Sequence, residues 1–249
     1  MASTTAARTS IITTTTTTTG TAITTTITTE ALLRLLAWTS PAYPVGGFSY
    51  SHGIEMAVEE GRIPDASALT AYITAVIERG AGRVDAVLLA AAHAAPDDAA
   101  LDAVAELAAA WRGTAETALE ATQQGGSFAS VTAAVQPDAR FAAFAARHRG
   151  RLAHAVAFGA AAAMAGIPRS PALLAYLQGF AANLVSAGVR LIPLGQTDGQ
   201  RVTAALWPVV TGATEAAQDA SLDDLATSLP LVDLFSMRHE TQYTRLFRS

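Results

Sequence analysis

"DASALTAYITAVIER", residues 65–79, decides the fold class. Leu69, Tyr72, Ile73, Val76 and Ile77 recur at the three- and four-residue spacing that places them on one face of an α-helix. Asp65 stands just ahead of them, where a short carboxylate accepts from the unpaired N–H groups of a first helical turn. No segment of the chain alternates with the period of two that a half-buried strand needs, and no Asn-Gly or Asp-Gly pair joins two apolar runs.

The helical period continues outward from this stretch. Upstream, a helix over about Ser51–Glu60 stops at Gly61, and Thr29 caps a short one carrying Leu32, Leu33, Leu35 and Leu36 that ends before Ser40-Pro41. Downstream, alanine-rich helices are expected around 84–94, 98–122, 138–149 and 152–165. Ser170-Pro171 opens a helix reaching about Leu191. Thr197 and Gln200 form a capping box for a helix to about Trp207, where Pro208 introduces a kink. Ser221 opens a short turn, and a last helix begins at Leu231. The expected architecture is all-α, a single-domain bundle of roughly ten helices over residues 30–249. Residues 1–29 stand apart, with sixteen threonines and Arg8 as the one charged side chain. Such low-complexity sequence is expected to be a disordered tail, and it lacks the apolar segment and cleavage site of a signal peptide.

Composition narrows the chemistry. All sixteen cationic residues are arginine, and with 21 acidic residues the formal charge is −5, which disfavours nucleic-acid binding through the phosphate backbone. The absence of lysine removes the P-loop lysine and Schiff-base catalysis; the absence of cysteine removes thiol nucleophiles, disulfides and thiolate metal sites. The five histidines (His52, His93, His148, His154 and His239) fall in neither H-x-H nor H-E-x-x-H spacing, so no metal site is expected. No apolar run of membrane-spanning length is read, and the lack of disulfides and of a targeting segment favours the cytoplasm.

Three motifs exceed what helix punctuation requires. The first is "PVGGFSYSHGIE", residues 44–55, with Gly46, Gly47, Phe48, Ser49, Tyr50, Ser51, His52 and Glu55. A glycine turn entering a helix explains the glycines and serines; it does not explain why Phe48, Tyr50 and His52 crowd together. Gly47–Ser51 nearly fits the G-x-S-x-G nucleophile elbow, although Ser51 replaces its last glycine and no strand precedes it. A serine hydrolase using Ser49 with His52 or another histidine as base, and Glu55 placed to orient His52, is the alternative reading. The second motif, "VRLIPLGQTDGQR" (189–201), is an interhelical corner in which Pro193 and Gly195 turn the chain and Arg190, Gln196, Gln200 and Arg201 gather.

The third motif, "SMRHETQYTRLFRS" (236–249), starts like a zinc-protease helix at His239-Glu240, but Tyr243 occupies the place of the second histidine. Tyr243, Leu246 and Phe247 alternate with Arg238, Arg245 and Arg248, the residue types that dominate interface hot spots. Residues 236–249 are therefore expected to be a docking segment whose removal leaves the helical domain folded. The basic run Arg147-His148-Arg149-Gly150-Arg151 needs no more than a helix C-terminus to explain it.

In order and wording these motifs resemble the UreF family of urease accessory proteins, from about Glu30 to Ser249. "LLRLLAWTSPAYPVGGFSYSHGIEMAVEEGRI", the corner motif and the closing segment carry the resemblance; "ETALEATQQGGS" and "HAVAFGAAAAMAGI" add less. The Thr-rich tail is foreign to the family pattern, and Gln124 stands where a methionine is expected. The resemblance implies a non-catalytic adaptor without cofactor, expected to be a homodimer. Such a protein joins a UreD/UreH-type scaffold to the GTPase UreG for nickel insertion into apo-urease, and is compatible with an effect on the GTPase itself. The residues of the three motifs are then its partner-binding surface. A nickel-binding carrier would rest on His52 and His239 alone.

Overall fold

Asp65 opens α3 (Ala66–Arg79) as the sequence predicts, its side chain accepting from the Ala68 N–H at 2.8 Å. Leu69, Ile73, Val76 and Ile77 are buried and Tyr72 is half-buried, so the stripe faces the core. The computed structural model describes residues 10–16 and 23–249. Among them, eleven α-helices form the body: α1 (Thr29–Trp38), α2 (Ile54–Glu59), α3, α4 (Ala81–Ala94), α5 (Asp98–Ala110), α6 (Ala115–Val135), α7 (Ala139–Arg147), α8 (His154–Met164), α9 (Arg169–Leu191), α10 (Gln196–Gln218) and α11 (Pro230–His239).

The alanine-rich middle builds the centre. α8 is buried along nearly its whole length and packs against α4 and α6, with α9 and α7 alongside. Small side chains let these backbones approach. A Cβ on Gly159 would lie 2.5 Å from the Leu89 carbonyl oxygen of α4, and one on Gly125 of α6 would lie 2.0 Å from that of Leu152. Trp38, Phe128 and Phe158 fill the remaining space, with Trp38 edge-on to both phenyl rings. α10 packs on α9, α3 and α4, while α2 and α11 pack on each other at the edge where α6 and α9 also meet them.

Several boundaries differ from expectation. The helix expected over 98–122 is two helices, because Thr114 caps α6 in a capping box with Thr117. α10 continues to Gln218 through Pro208. The carbonyl at Ala204 that loses its donor lies on an exposed face, where water can serve it. Gly195, without a side-chain cap, opens that helix in place of the Thr197–Gln200 box. α9 does contain an eighteen-residue window apolar enough to span a membrane by length and composition, contrary to the sequence reading, but 50% of it is buried in this fold.

Two strands are described within the Thr-rich segment. β1 (Ser10–Thr16) and β2 (Ile23–Thr28) pair antiparallel, with Thr13 opposite Thr26, and β2 leads directly into α1. Threonine and isoleucine, branched at Cβ, favour extended backbone. The rest of the expected tail, residues 1–9 and 17–22, lies outside the described residues.

Candidate functional site

The "PVGGFSYSHGIE" segment is a tight double turn seated on α9. Gly46 has φ 75° and leads into a single 3₁₀ turn, Gly47–Ser49. A Cβ on Gly47 would fall 2.6 Å from the Asn183 side-chain nitrogen, so a larger residue here would force that amide of α9 to turn aside. His52 is the one non-glycine residue with positive φ (55°) among the described residues, a conformation costing on the order of 1 kcal/mol or more. Its surroundings hold it there. The Tyr72 hydroxyl donates to the His52 carbonyl at 3.0 Å, and the His52 ring meets Glu120 through Nδ1 at 3.2 Å. Burial disfavours the His52 imidazolium, but the Glu120 hydrogen bond and charge outweigh it and leave the group above its ordinary pKa.

Behind the turn lies a buried polar cluster. His239 at the end of α11 is fully enclosed, with Nε2 3.0 Å from Glu55 and Nδ1 2.8 and 3.0 Å from the two oxygens of Glu116. Arg245 approaches Glu116 at 3.4 Å. Burial raises the Glu116 carboxyl above its ordinary range, against the opposing hydrogen bond and charge of His239. Next to it, a cavity of about 120 Å³ is lined by Asp85, Arg112, Glu120, His154 and Tyr176 among others. Asp85 accepts from Arg112 at 3.0 Å and from the Tyr176 hydroxyl at 2.7 Å. Burial lowers the pKa of His154 to about 4, so its imidazole is neutral at pH 7.

Residues 240–249 form a strap that returns from α11 into the domain. The Leu246 and Phe247 N–H groups donate to the two Glu55 oxygens at 2.6 and 2.9 Å. The Arg248 N–H donates to the Ser49 carbonyl at 2.8 Å, and both the N–H and hydroxyl of Ser51 donate to the Ser249 carbonyl. The Phe247 ring lies under the Arg190 guanidinium at 4.2 Å, and Arg190 donates to the Phe48 carbonyl at 2.6 Å. One arginine thereby ties together residues from all three sequence motifs.

Comparison with known proteins addresses the identity of this arrangement. The UreF family model matches residues 63–207. The chain is 56% identical over 222 residues to the urease accessory protein UreF of Granulibacter bethesdensis, covering 88% of this chain and 94% of that protein. It is 50% identical over 222 residues to the protein of that name from Rhodopseudomonas palustris strain BisB5, covering 88% and 91%. The same comparison with Methylorubrum populi gives 48% over 220 residues, covering 87% and 98%. The chain belongs to the UreF family.

In this UreF-family fold the residues singled out from sequence divide into two sets. Tyr50, Ser51, His52, Glu55, His239 and Phe247 are buried, as is Gly47, and they hold the turn and the strap. Phe48, Tyr243 and Leu246 are exposed at 64%, 103% and 61%, with Arg245 and Glu240 beside them in the chain. Arg238 is exposed and pairs with Glu60. Pro193, Gly195, Gln196, Gln200 and Arg201 lie at the exposed corner between α9 and α10, where Arg201 pairs with Asp198; among the described residues no hydrogen bond links this corner to the strap. Gly46 and Ser49 are half-buried.

The strap corrects the expectation of a segment independent of the domain, because its anchors fill the domain's own polar core. No Ser49–His52–Glu55 relay is assembled either: His52 turns to Glu120, and Glu55 serves His239 and the strap. Among the described residues no group of three or more His, Asp or Glu side chains is placed to hold a metal ion.

Sequence reasoning missed Glu116 and Glu120, and took Gln124 only as a departure from the family pattern. Their i, i+4, i+8 spacing on an otherwise small-residue helix was the available signal, since it aligns three polar groups on one face, and all three are buried.

Proposed function

We propose that this UreF-family accessory protein acts without catalysis, as the adaptor that joins a UreD/UreH-type scaffold to the GTPase UreG while nickel is delivered to apo-urease. It would work in the cytoplasm as a homodimer, and neither nucleic acid nor membrane would be among its partners. The observation that carries this reading is the convergence at Arg190: the glycine turn, the end of α9 and the strap meet there, rigidly held from below. Phe48 and Leu246 remain exposed above it. Large apolar side chains on a pre-organised support suit a docking surface, because little entropy is lost when the partner arrives. Aromatic and arginine residues in such a setting are the types that contribute most to binding.

The test is co-purification of the chain with the scaffold and the GTPase, comparing wild type with Phe48→Ala and Leu246→Ala. Each side chain, once covered, contributes about 2 kcal/mol, so each variant should weaken assembly roughly thirtyfold with an unchanged melting temperature. Undiminished affinity for both partners in the double variant would overturn the reading.

A further inference from the structure

We propose that His239 is a proton-controlled latch: as an imidazolium between Glu55 and Glu116 it fastens the strap of residues 240–249, and loss of its proton releases that strap. The inference stands independently of which partner the surface binds.

Hydrogen-bond capacity carries the argument. Both ring nitrogens of His239 face carboxylate oxygens, Nε2 at 3.0 Å and Nδ1 at 2.8 and 3.0 Å. A neutral imidazole has one N–H and one lone pair, and only the imidazolium donates on both sides. With the proton gone, a lone pair would confront one carboxylate at hydrogen-bond distance, inside a site from which water is excluded. The charged groups facing the ring are Glu55 from α2, Glu116 from α6, and Arg245 and Glu240 from the strap, while Arg190 of α9 acts on Glu55 from outside. Without the imidazolium, Arg245 at 3.4 Å would be the close cation left to two enclosed carboxylates.

Glu55 couples this electrostatic change to movement. Its two oxygens hold the Leu246 and Phe247 N–H groups, so those residues cover it. Hydrating Glu55, the direct relief for an unpaired buried carboxylate, requires the strap to lift. At the acid end, protonation of Glu116, whose carboxyl burial raises, removes an acceptor of His239, so the latch is closed over a bounded pH interval. His52, which meets Glu120, is a second titrating contact: the Ser249 hydroxyl donates to the same Glu120 carboxylate at 3.3 Å. A test has to separate the two histidines.

The experiment is amide hydrogen exchange at Leu246 and Phe247 between pH 6 and 9, expressed as protection relative to the unstructured rate at each pH. Nitrogen-15 NMR of the histidine rings is followed in parallel. The expected result is an imidazolium at His239 while the strap is protected, with protection falling on the order of a hundredfold as that ring loses its proton. In His52→Gln this coupling should persist. In His239→Gln protection should be low and flat with pH. Coincidence of the two midpoints in wild type tests the proposal even if that variant does not fold. Protection that ignores the His239 proton, or that follows His52 instead, would overturn it.

Discussion

Replacing Phe247 by alanine should loosen the strap measurably. The side chain is 4% exposed, and a buried phenylalanine truncated to alanine costs about 3–5 kcal/mol. One wall of this site is the Arg190 side chain, and Leu246 and Arg248 on either side are exposed, so the lower end applies: about 3 kcal/mol. Roughly 1 kcal/mol of this is the cation–π contact at 4.2 Å, which a double-mutant cycle with Arg190→Gln should recover as coupling. If strap and bundle melt together, the melting temperature falls by about 6–12 °C. If the strap opens alone, its open population rises about a hundredfold and trypsin cuts sooner after Arg245. Calorimetry and timed proteolysis together separate those outcomes. Tyr243→Ala is the control: that side chain is fully exposed and should change stability by less than about 0.5 kcal/mol. Wild-type melting and cleavage in Phe247→Ala, or equal damage from Tyr243→Ala, would refute the placement of the strap.

The neighbouring glycines of α6 should respond with opposite signs. A Cβ on Gly125 would meet backbone atoms at 2.0 and 2.8 Å, which cannot step aside, so Gly125→Ala should cost about 3 kcal/mol or more in a denaturant titration. Nothing lies within 4 Å of a Cβ on Gly126, where alanine should add about 0.5–1 kcal/mol through helix propensity. Acid titration should expose His154: its folded pKa of about 4 lies below the ordinary 6.5, so the unfolded chain binds the proton first. Stability present above pH 6.5 is therefore lost as pH falls towards 4, by roughly 3 kcal/mol, and His154→Phe should flatten that decline in melts across this interval.

Local chemistry made much of the bundle legible and left its polar interior hidden. Asp65 and the stripe from Leu69 to Ile77 announce α3 because cap and period agree within fifteen residues. The break at Thr114 was missed because alanine on both sides favours one continuous helix, and a threonine cap followed by Thr117 is a weaker signal than one followed by a glutamate. The three motifs were visible as unusual, and their meeting at Arg190 was not, since residues 48, 190 and 247 are distant in sequence. Aromatics and arginines near a chain end suggested an external partner for all of them. The structure gives Phe247 an internal one, because the enclosed carboxylates of Glu55, read as part of a partner-binding motif, and of Glu116, unremarked in the sequence, accept from the Phe247 N–H and face the His239 ring.

The pairing of Glu55 with Phe247 spans 192 residues, and Ser51 with Ser249 spans 198. On a ribosome adding about 5–20 residues per second, the Glu55 carboxylate waits on the order of 10–40 seconds before its strap partners are made. Throughout that time α2 carries an acceptor that the completed fold encloses, so this corner must stay open to water while the alanine-rich centre is already able to pack. Contacts so distant in sequence carry a large loop-closure cost, so the strap joins this corner later than the more local contacts of the alanine-rich centre form.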